Sequence, residues 1–403
     1  MPTSVAKCLR VAVIGAGSIG REFALHHFGA HTGTRVVSVV DIDIDAAKRL
    51  AADVGAAQAG AAVVGRNRYK SQVAASELGE PVAHASELAA PILDGCDMVY
   101  VGVTPSAHKN IVLCALAAGK HVLLEKPLAS TAADADALVA AAEAANARGI
   151  RTSMNIGMRF NRAVAEMRLL LQESATGGDG DQQLLSARLS LHFVTWPREW
   201  QQVAWCANRA DGGALRECGT HYLFAILELF GQTCVERVQA QVVYSDGPDG
   251  VMAETAVDGT LALSNGLEIA LSVKTDGSGL AEDGDDHYEL DIETRAGLLQ
   301  LHDFVCLRRA TPAGSRRWKR LVTRGEYGRT ECVTTLCDAI NGVDADAGSA
   351  AGSAAGSAAG SAAGSEAAGG AARPVSAREG RNAQRVLDSI FASGGEWIDV
   401  AYD

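Results

Sequence analysis

No apolar run in this 403-residue sequence approaches the ~20 residues that cross a bilayer. The first residues pass almost at once into a strand pattern, without a charged leader and long apolar segment, so neither secretion nor membrane insertion is expected. Nine cysteines are present, an odd number, yet no CxxC pair and no histidine cluster of zinc spacing accompanies them. Thiols in a reducing compartment and no metal site are the expectation. An excess of basic residues is also missing: 36 Lys and Arg against 48 Asp and Glu leave a net charge of -12, which excludes a general binder of nucleic acid or anionic membrane. The acidic run Glu282-Asp283-Gly284-Asp285-Asp286-His287 lacks the pattern of a calcium loop and reads as a solvated turn. The one basic cluster, Arg308, Arg309, Arg316, Arg317, Lys319, Arg320 and Arg324 around Trp318, reads as an exposed strand and turn. The closing Ala401-Tyr402-Asp403 is not a peroxisomal address, and cytoplasm is the expected location.

A hydrophobic content of 48% with 21% charged residues suits two ordinary globular domains. Residues 9–20, LRVAVIGAGSIG, join an apolar strand pattern to Gly15-x-Gly17-x-x-Gly20 and a helix-compatible segment from Ser18 to about Gly29. This is the dinucleotide-binding fingerprint in its required context. Gly15 permits the tight turn, Gly17 lets backbone approach a pyrophosphate, and Gly20 lets helix pack closely on strand. With Ser18 and Ile19 at the helix start, these glycines are the cofactor-binding candidates, because free N–H groups and the helix dipole favour an anion there. A second strand from Arg35 to Val40 ends at Asp41, 21 residues after Gly20, near the spacing of a ribose-binding acid. Asp41 would repel a 2'-phosphate, so NAD is expected; Lys48 and Arg49 keep NADP open.

The run GKHVLLEKPL at 119–128 sets Lys126 between Glu125 and Pro127 at the end of an apolar strand. Proline blocks further ladder pairing, so the lysine emerges at a strand's carboxyl end, where open α/β sheets bind ligands.

With these pieces in place the chain resembles the Gfo/Idh/MocA (glucose-fructose oxidoreductase/inositol dehydrogenase) family nearly end to end. Thr104-Pro105-Ser106-Ala107-His108 is similar to that family's loop beside the cofactor, and Glu125-Lys126-Pro127 to its EKP signature. GGALRECGTHYLF at 212–224 is similar to its glycine-led helix with an acid and a histidine four residues apart, here Glu217 and His221. The resemblance implies cofactor contacts at Thr104, Pro105, His108, Glu125 and Lys126. It also implies proton transfer by Lys126 and His221, with Glu217 orienting His221 or binding a second hydroxyl. Spacing alone puts Glu217 and His221 on one helical face, with Leu215, Cys218, Tyr222, Leu223, Ile226 and Leu227 buried opposite. The family's acid is usually aspartate, so Glu217 and the adjacent Arg216 mark a departure. Arg159 is the counterpart of an arginine carried toward the site. Trp196, Trp200 and Trp205 form either an aromatic substrate wall or interface packing. The implied activity is hydride transfer between NAD(P) and a carbinol carbon of a sugar, cyclitol or related small molecule. An NAD-dependent glycoside hydrolase working by transient oxidation, or a dinucleotide sensor, are the alternatives that the family also contains.

Strand and helix signals alternate to about residue 150, predicting a doubly wound parallel sheet with a crossover helix from Ala132 to Ala147. Residues 151–403 read as an α+β domain. Its β-like runs at 184–195, 235–244, 256–264, 267–274, 287–294 and 298–306 suggest a large, mostly antiparallel open sheet. In the family this sheet bears the substrate site on one side and a homodimer or homotetramer interface on the other. The segment 58–90 is expected to hold a short extra helix or loop. At 345–373 a Gly-Ser-Ala repeat with no core-forming side chains is expected to be a flexible insertion. Beyond it, Ala383, Val386, Leu387, Ile390 and Phe391 follow helical spacing in a final helix at 379–393.

Overall fold

Strand β1 (Leu9–Ile14) alternates its side chains between two faces, and each face builds a core of its own. Val11 and Val13 join Phe23, Phe28 and Tyr100 on one side, while Ala12 and Ile14 join Val99, Val101 and Leu124 on the other. A strand apolar on both faces belongs in the middle of a covered parallel sheet. In the computed structural model, which describes residues 7–61, 83–85, 88, 90–176, 184–201, 203–280, 284–311, 317–323, 325–342 and 373–402, it lies there. The sheet also contains β2 (Thr34–Val40), β3 (Ala83–Ala85), β4 (Met98–Val101), β5 (His121–Leu124) and β6 (Thr152–Met154), in the order β3-β2-β1-β4-β5-β6, all parallel. The connecting helices are α1 (Ser18–Glu22), α2 (Ile44–Ala61), α3 (Ala90–Gly95), α4 (Pro105–Ala117) and α5 (Ala132–Ala147). This is a doubly wound Rossmann sheet whose order reverses between β1 and β4, and the crevice at that switch point is its ligand site. Thr131 caps α5, accepting from the Asp134 N–H at 3.2 Å, so the helix has the predicted bounds. The first helix departs from expectation: after Glu22 it widens into a π-turn over Phe23–His27.

The second half begins with α6 (Arg162–Thr176) and continues through β7 (Leu184–His192), α7 (Thr220–Phe230), β8 (Val235–Tyr244), β9 (Glu254–Leu263), β10 (Glu268–Lys274), β11 (His287–Thr294), β12 (Gly297–His302), β13 (Cys306–Ala310) and β14 (Trp318–Val322). It ends with α8 (Arg329–Ile340), α9 (Ala377–Ala392) and β15 (Ile398–Asp399). Its nine strands run β14-β13-β12-β11-β7-β10-β9-β8-β15, antiparallel except for the β7–β10 pair. The basic cluster falls on β13 and the edge strand β14, where Arg308 stacks on Trp318 at 4.3 Å; Arg316 and Arg324 lie outside the described residues. So do Glu282 and Asp283, most of 58–90 and the Gly-Ser-Ala repeat.

Two helices from the second half close over the first sheet. Val333, Leu336 and Cys337 of α8 enter the Phe23–Tyr100 core. On α9, Ala383, Val386, Leu387 and Ile390 are fully buried, as their spacing predicts, and Phe391 is half-buried. The Ser376–Glu379 capping box starts this helix. Gly380 is required there: a Cβ would stand 1.9 Å from the Met154 sulfur on β6.

Candidate active site

Each glycine of the first loop answers a different steric demand. Gly15 has φ of +104°, and a Cβ on it would lie 2.2 Å from the Gly102 carbonyl oxygen. A Cβ on Gly20 would lie 1.9 Å from the Gly15 oxygen, so helix and turn could not approach. Gly17, the residue before α1, has nothing within 4 Å of where its Cβ would be, which leaves open space for a bulky anion beside Ser18 and Ile19. At the end of β2 the Asp41 carboxylate accepts from the Ala16 N–H at 2.7 Å and the Asp43 N–H at 2.8 Å. These residues fit an adenine dinucleotide: an uncrowded turn for phosphate, with an acid against it for the ribose. Ile42 is 95% exposed and brings no positive charge for a 2'-phosphate.

Thr104 and Pro105 open α4, and the Ser106 N–H and hydroxyl donate to Asp211 at 2.7 and 2.9 Å. His108 is wholly buried, its ring nitrogens 3.2 Å from the Leu128 oxygen and 3.1 Å from the Val103 oxygen. Burial lowers its pKa, so the ring is a neutral tie between two loops. Glu125 is 5% exposed and accepts from the Tyr100 hydroxyl at 2.8 Å and the Asn155 amide at 2.5 Å. Burial raises its pKa against the pull of Lys126 and these hydrogen bonds. His108 and Glu125, expected as cofactor contacts, thus lie one layer beneath the surface and shape it.

Lys126 emerges where the sequence puts it. Its Nζ donates to the Glu217 backbone oxygen at 3.1 Å and to Glu217 Oε2 at 3.2 Å, and both side chains are mostly buried. Of the two uses expected of Glu217, orienting His221 or binding a second hydroxyl, no hydrogen bond to His221 is found for the first among the described residues. Leu215–Gly219 is a π-turn that passes into α7 at Thr220, so residues four apart do not stack as they would on a continuous α-helix. Glu217 turns to Lys126, and His221 Nδ1 bonds the hydroxyl of Tyr327, which precedes α8. The His221 ring stands edge-on to Phe304 at 5.5 Å and to Tyr327 at 5.2 Å. Burial, then the charges of Lys126, Arg329 and Arg198, hold its pKa well below the ordinary value, and the ring is neutral at physiological pH. Burial likewise raises the Tyr327 pKa.

Phe304 reaches the site from a strained turn between β12 and β13, where Asp303 and Phe304 have φ of +52° and +63°. The turn is held by the Asn161 amide on the Phe304 oxygen at 2.8 Å and by the Phe304 N–H on the Tyr222 hydroxyl at 3.1 Å. In the same turn His302, Asp303 and Cys306 bring donor atoms within 4.8 Å of one another. His302 already bonds Asp303, and the Cys306 thiol donates to the Thr323 oxygen.

Three residues expected at the substrate fall differently. Arg159 donates to Glu228 at 2.7 Å and Glu379 at 2.5 Å, a buried network between α7 and α9 that uses its charge structurally. Arg216 is 7% exposed, with its guanidinium 5.4 Å from the Phe391 ring on α9. Trp205 is half-buried in the turn Ala204–Ala207, while Trp196 and Trp200 gather with Phe193 around Arg198. Tyr327, Phe304, Asp211 and Arg198 were not singled out by the sequence; only Arg198 had a signal, its place among the tryptophans.

The fold and site define an NAD-binding Rossmann protein with an antiparallel sheet on its substrate side. A family profile described as "Oxidoreductase family, NAD-binding Rossmann fold" (GFO_IDH_MocA) matches residues 9–151. The 1,5-anhydro-D-fructose reductase of Ensifer adhaerens is 31% identical over 261 residues, covering 64% of this chain and 67% of that protein. The chain belongs to the Gfo/Idh/MocA oxidoreductase family. Inositol 2-dehydrogenase of Acidiphilium cryptum is 34% identical over 162 residues, which span 39% of this chain and 41% of that protein's length. An oxidoreductase domain protein from Kribbella flavida shares the fold with a TM-score of 0.68 at 19% identity, covering 98% of this chain and all of that one. Among the described residues no helix is long and apolar enough to cross a membrane.

Proposed function

We propose that the protein is an NAD-dependent dehydrogenase/reductase that acts on a CH–OH group of a sugar, cyclitol or related small molecule. The observation that carries this reading is the Lys126–Glu217 pair at the carboxyl end of β5, with the Lys126 charge acting on a buried, neutral His221. NAD supplies the hydride acceptor; Gly15, Gly17, Ser18, Ile19, Gly20 and Asp41 would hold it, with Thr104 and Pro105 beside the reacting end. Lys126 holds the substrate oxygen and stabilises the charge that develops on it, where a preorganised cation has its greatest effect. His221 takes the hydroxyl proton at Nε2, since Nδ1 is engaged by Tyr327. The tyrosine hydroxyl both donates and accepts, so it supports either tautomer and thus either direction of the reaction.

Support for a cytoplasmic setting comes from nine cysteines without a disulfide. Homo-oligomerisation through the open face of the nine-stranded sheet agrees with a concavity of about 970 Å³ there, lined by Ser186, Arg188, Asn265, Glu268, Asp291 and Glu293. We read residues 1–150 as the dinucleotide domain and 151–403 as the substrate and assembly domain.

The test is to follow NAD reduction with a panel of sugars, cyclitols and dihydrodiols, in wild type and Lys126→Met. Expected is turnover of at least one member and a loss of about 10²–10³-fold in the variant, the scale for removing one preorganised donor. An active Lys126→Met enzyme sinks the assignment. NADH is expected to bind more tightly than NADPH, and the reverse order in a direct titration contradicts the role given to Asp41.

A further inference from the structure

We propose that Arg198 is the anion-binding residue of the substrate pocket and that the natural substrate carries a carboxylate, an inference that rests on the dehydrogenase reading above. Leaving β7, the chain folds Phe193, Trp196 and Trp200 around this side chain. Its guanidinium carbon lies 4.4 Å from the Trp200 ring centre, 5.5 Å from Trp196 and 5.9 Å from Phe193. Trp196 is fixed in turn, its indole N–H donating to the Cys206 oxygen at 2.9 Å. Arg198 Nε donates to Gln201 at 2.9 Å.

A row of rings leads from this arginine to the candidate base. Phe193 and Tyr288 are 5.6 Å apart, Tyr288 and Phe304 5.0 Å, and Phe304 and His221 5.5 Å. The charge of Arg198 is felt at His221, together with that of Lys126. Arg198 and Lys126 therefore both act electrostatically on the same histidine.

Most cations of the interior have carboxylate partners; buried Arg216, with Nε and Nη1 unpartnered among the described residues and set against the Phe391 ring, is an exception. Lys126 has Glu217, Arg329 has Glu22, Arg159 has Glu228 and Glu379, and Arg381 has Asp136. Arg198 is half-buried, and its hydrogen-bond partner among the described residues is the neutral Gln201 rather than a carboxylate. Aromatic faces stabilise a guanidinium without occupying its edge, so its forked N–H donors are left to meet an acceptor. A carboxylate matches that fork bidentately and brings the one negative charge that the pocket lacks. A phosphate dianion would leave excess charge for a single arginine, which favours the carboxylate.

The full-length protein saturated with NADH is titrated calorimetrically with D-gluconate, D-glucuronate and D-galacturonate, each against its neutral amide, and with D-glucose 6-phosphate. At least one acid is expected to bind tenfold or more tightly than its amide, and Arg198→Gln to abolish that difference. Arg198→Lys, which keeps charge without the fork, is expected to retain part of it, and serves should the glutamine variant not fold. The proposal is overturned if acids and amides bind alike, if the preference survives Arg198→Gln, if the sugar phosphate binds best, or if no acid binds. NAD reduction is followed in parallel with neutral polyols. Their oxidation without any acid preference removes the anion pocket and leaves the dehydrogenase standing; Arg198-dependent acid binding with no reduction of NAD by any compound does the opposite.

Discussion

His221 owes its poise to neighbours far away in sequence. Tyr327 lies 106 residues away and fixes Nδ1; three cations and burial keep the ring neutral. Replacing Tyr327 by Phe removes one hydrogen bond, so kcat is expected to fall about fivefold with KM little changed, as loss of roughly 1 kcal/mol of orientation implies. Steady-state kinetics with a panel substrate decide this; an unchanged kcat would show that Nδ1 needs no partner. The pH dependence follows from the depressed pKa. A proton-accepting His221 must be neutral, so the acid limb of kcat/KM for oxidation is expected below pH 6.5, the histidine's ordinary value. A limb centred at or above that value would contradict the assignment. Legibility at this scale is uneven. Lys126 could be read because a proline and an apolar strand fix its location, and His221 because its motif is local. Tyr327 and Phe304 could not, since they reach the site only through tertiary folding of β12, β13 and α8.

Secondary structure elements were legible wherever local chemistry defines them. Helix α5 has its cap and its closing Gly149, and β8 and β11 have clear alternation; their bounds were readable to the residue. The π-turns at Phe23–His27 and Leu215–Gly219 were not, because their sequences are also good α-helix, and only packing shows the extra residue. Helix α9 carries the strongest element-level prediction. Its Glu379 closes the capping box and accepts from Arg159 and Arg373. Burial pushes this carboxyl up, but the two arginines outweigh it and hold the pKa at about 2. A carboxyl lowered on folding stabilises above its usual 4.5 and loses that contribution as pH falls toward 2. Glu379→Ala is expected to cost about 3–5 kcal/mol at pH 7, since it leaves Arg159 buried with one partner fewer. Urea unfolding at pH 7 and pH 3 should show the gap between wild type and variant shrinking in acid; a constant gap would mean the network contributes little.

At the scale of the whole molecule, the doubly wound sheet and the mostly antiparallel sheet both followed from periodicity, and the order of their strands did not. Most of the path between α8 and α9 lies outside the described residues. Described structure stops near Asn341 and resumes at Arg373, where Val375 bridges Met154 on β6. Deleting residues 348–369, which lie outside the described residues, is expected to leave turnover intact and Tm within a few degrees, because shortening a connection changes closure entropy only logarithmically. A folded deletion variant without activity would give the segment a function.

Helix α9 ties together parts made at opposite times. Arg381 reaches Asp136 on α5, Gln384 accepts from the Ala129 N–H, and the helix also lies on β6, α7 and β8. The parallel sheet ends at Met154, and the helix that packs on α5 and β6 spans Ala377–Ala392. The flank of the parallel sheet is thus covered only by a helix more than 200 residues further along the chain, a contact of high sequence separation that cannot form when the sheet itself can.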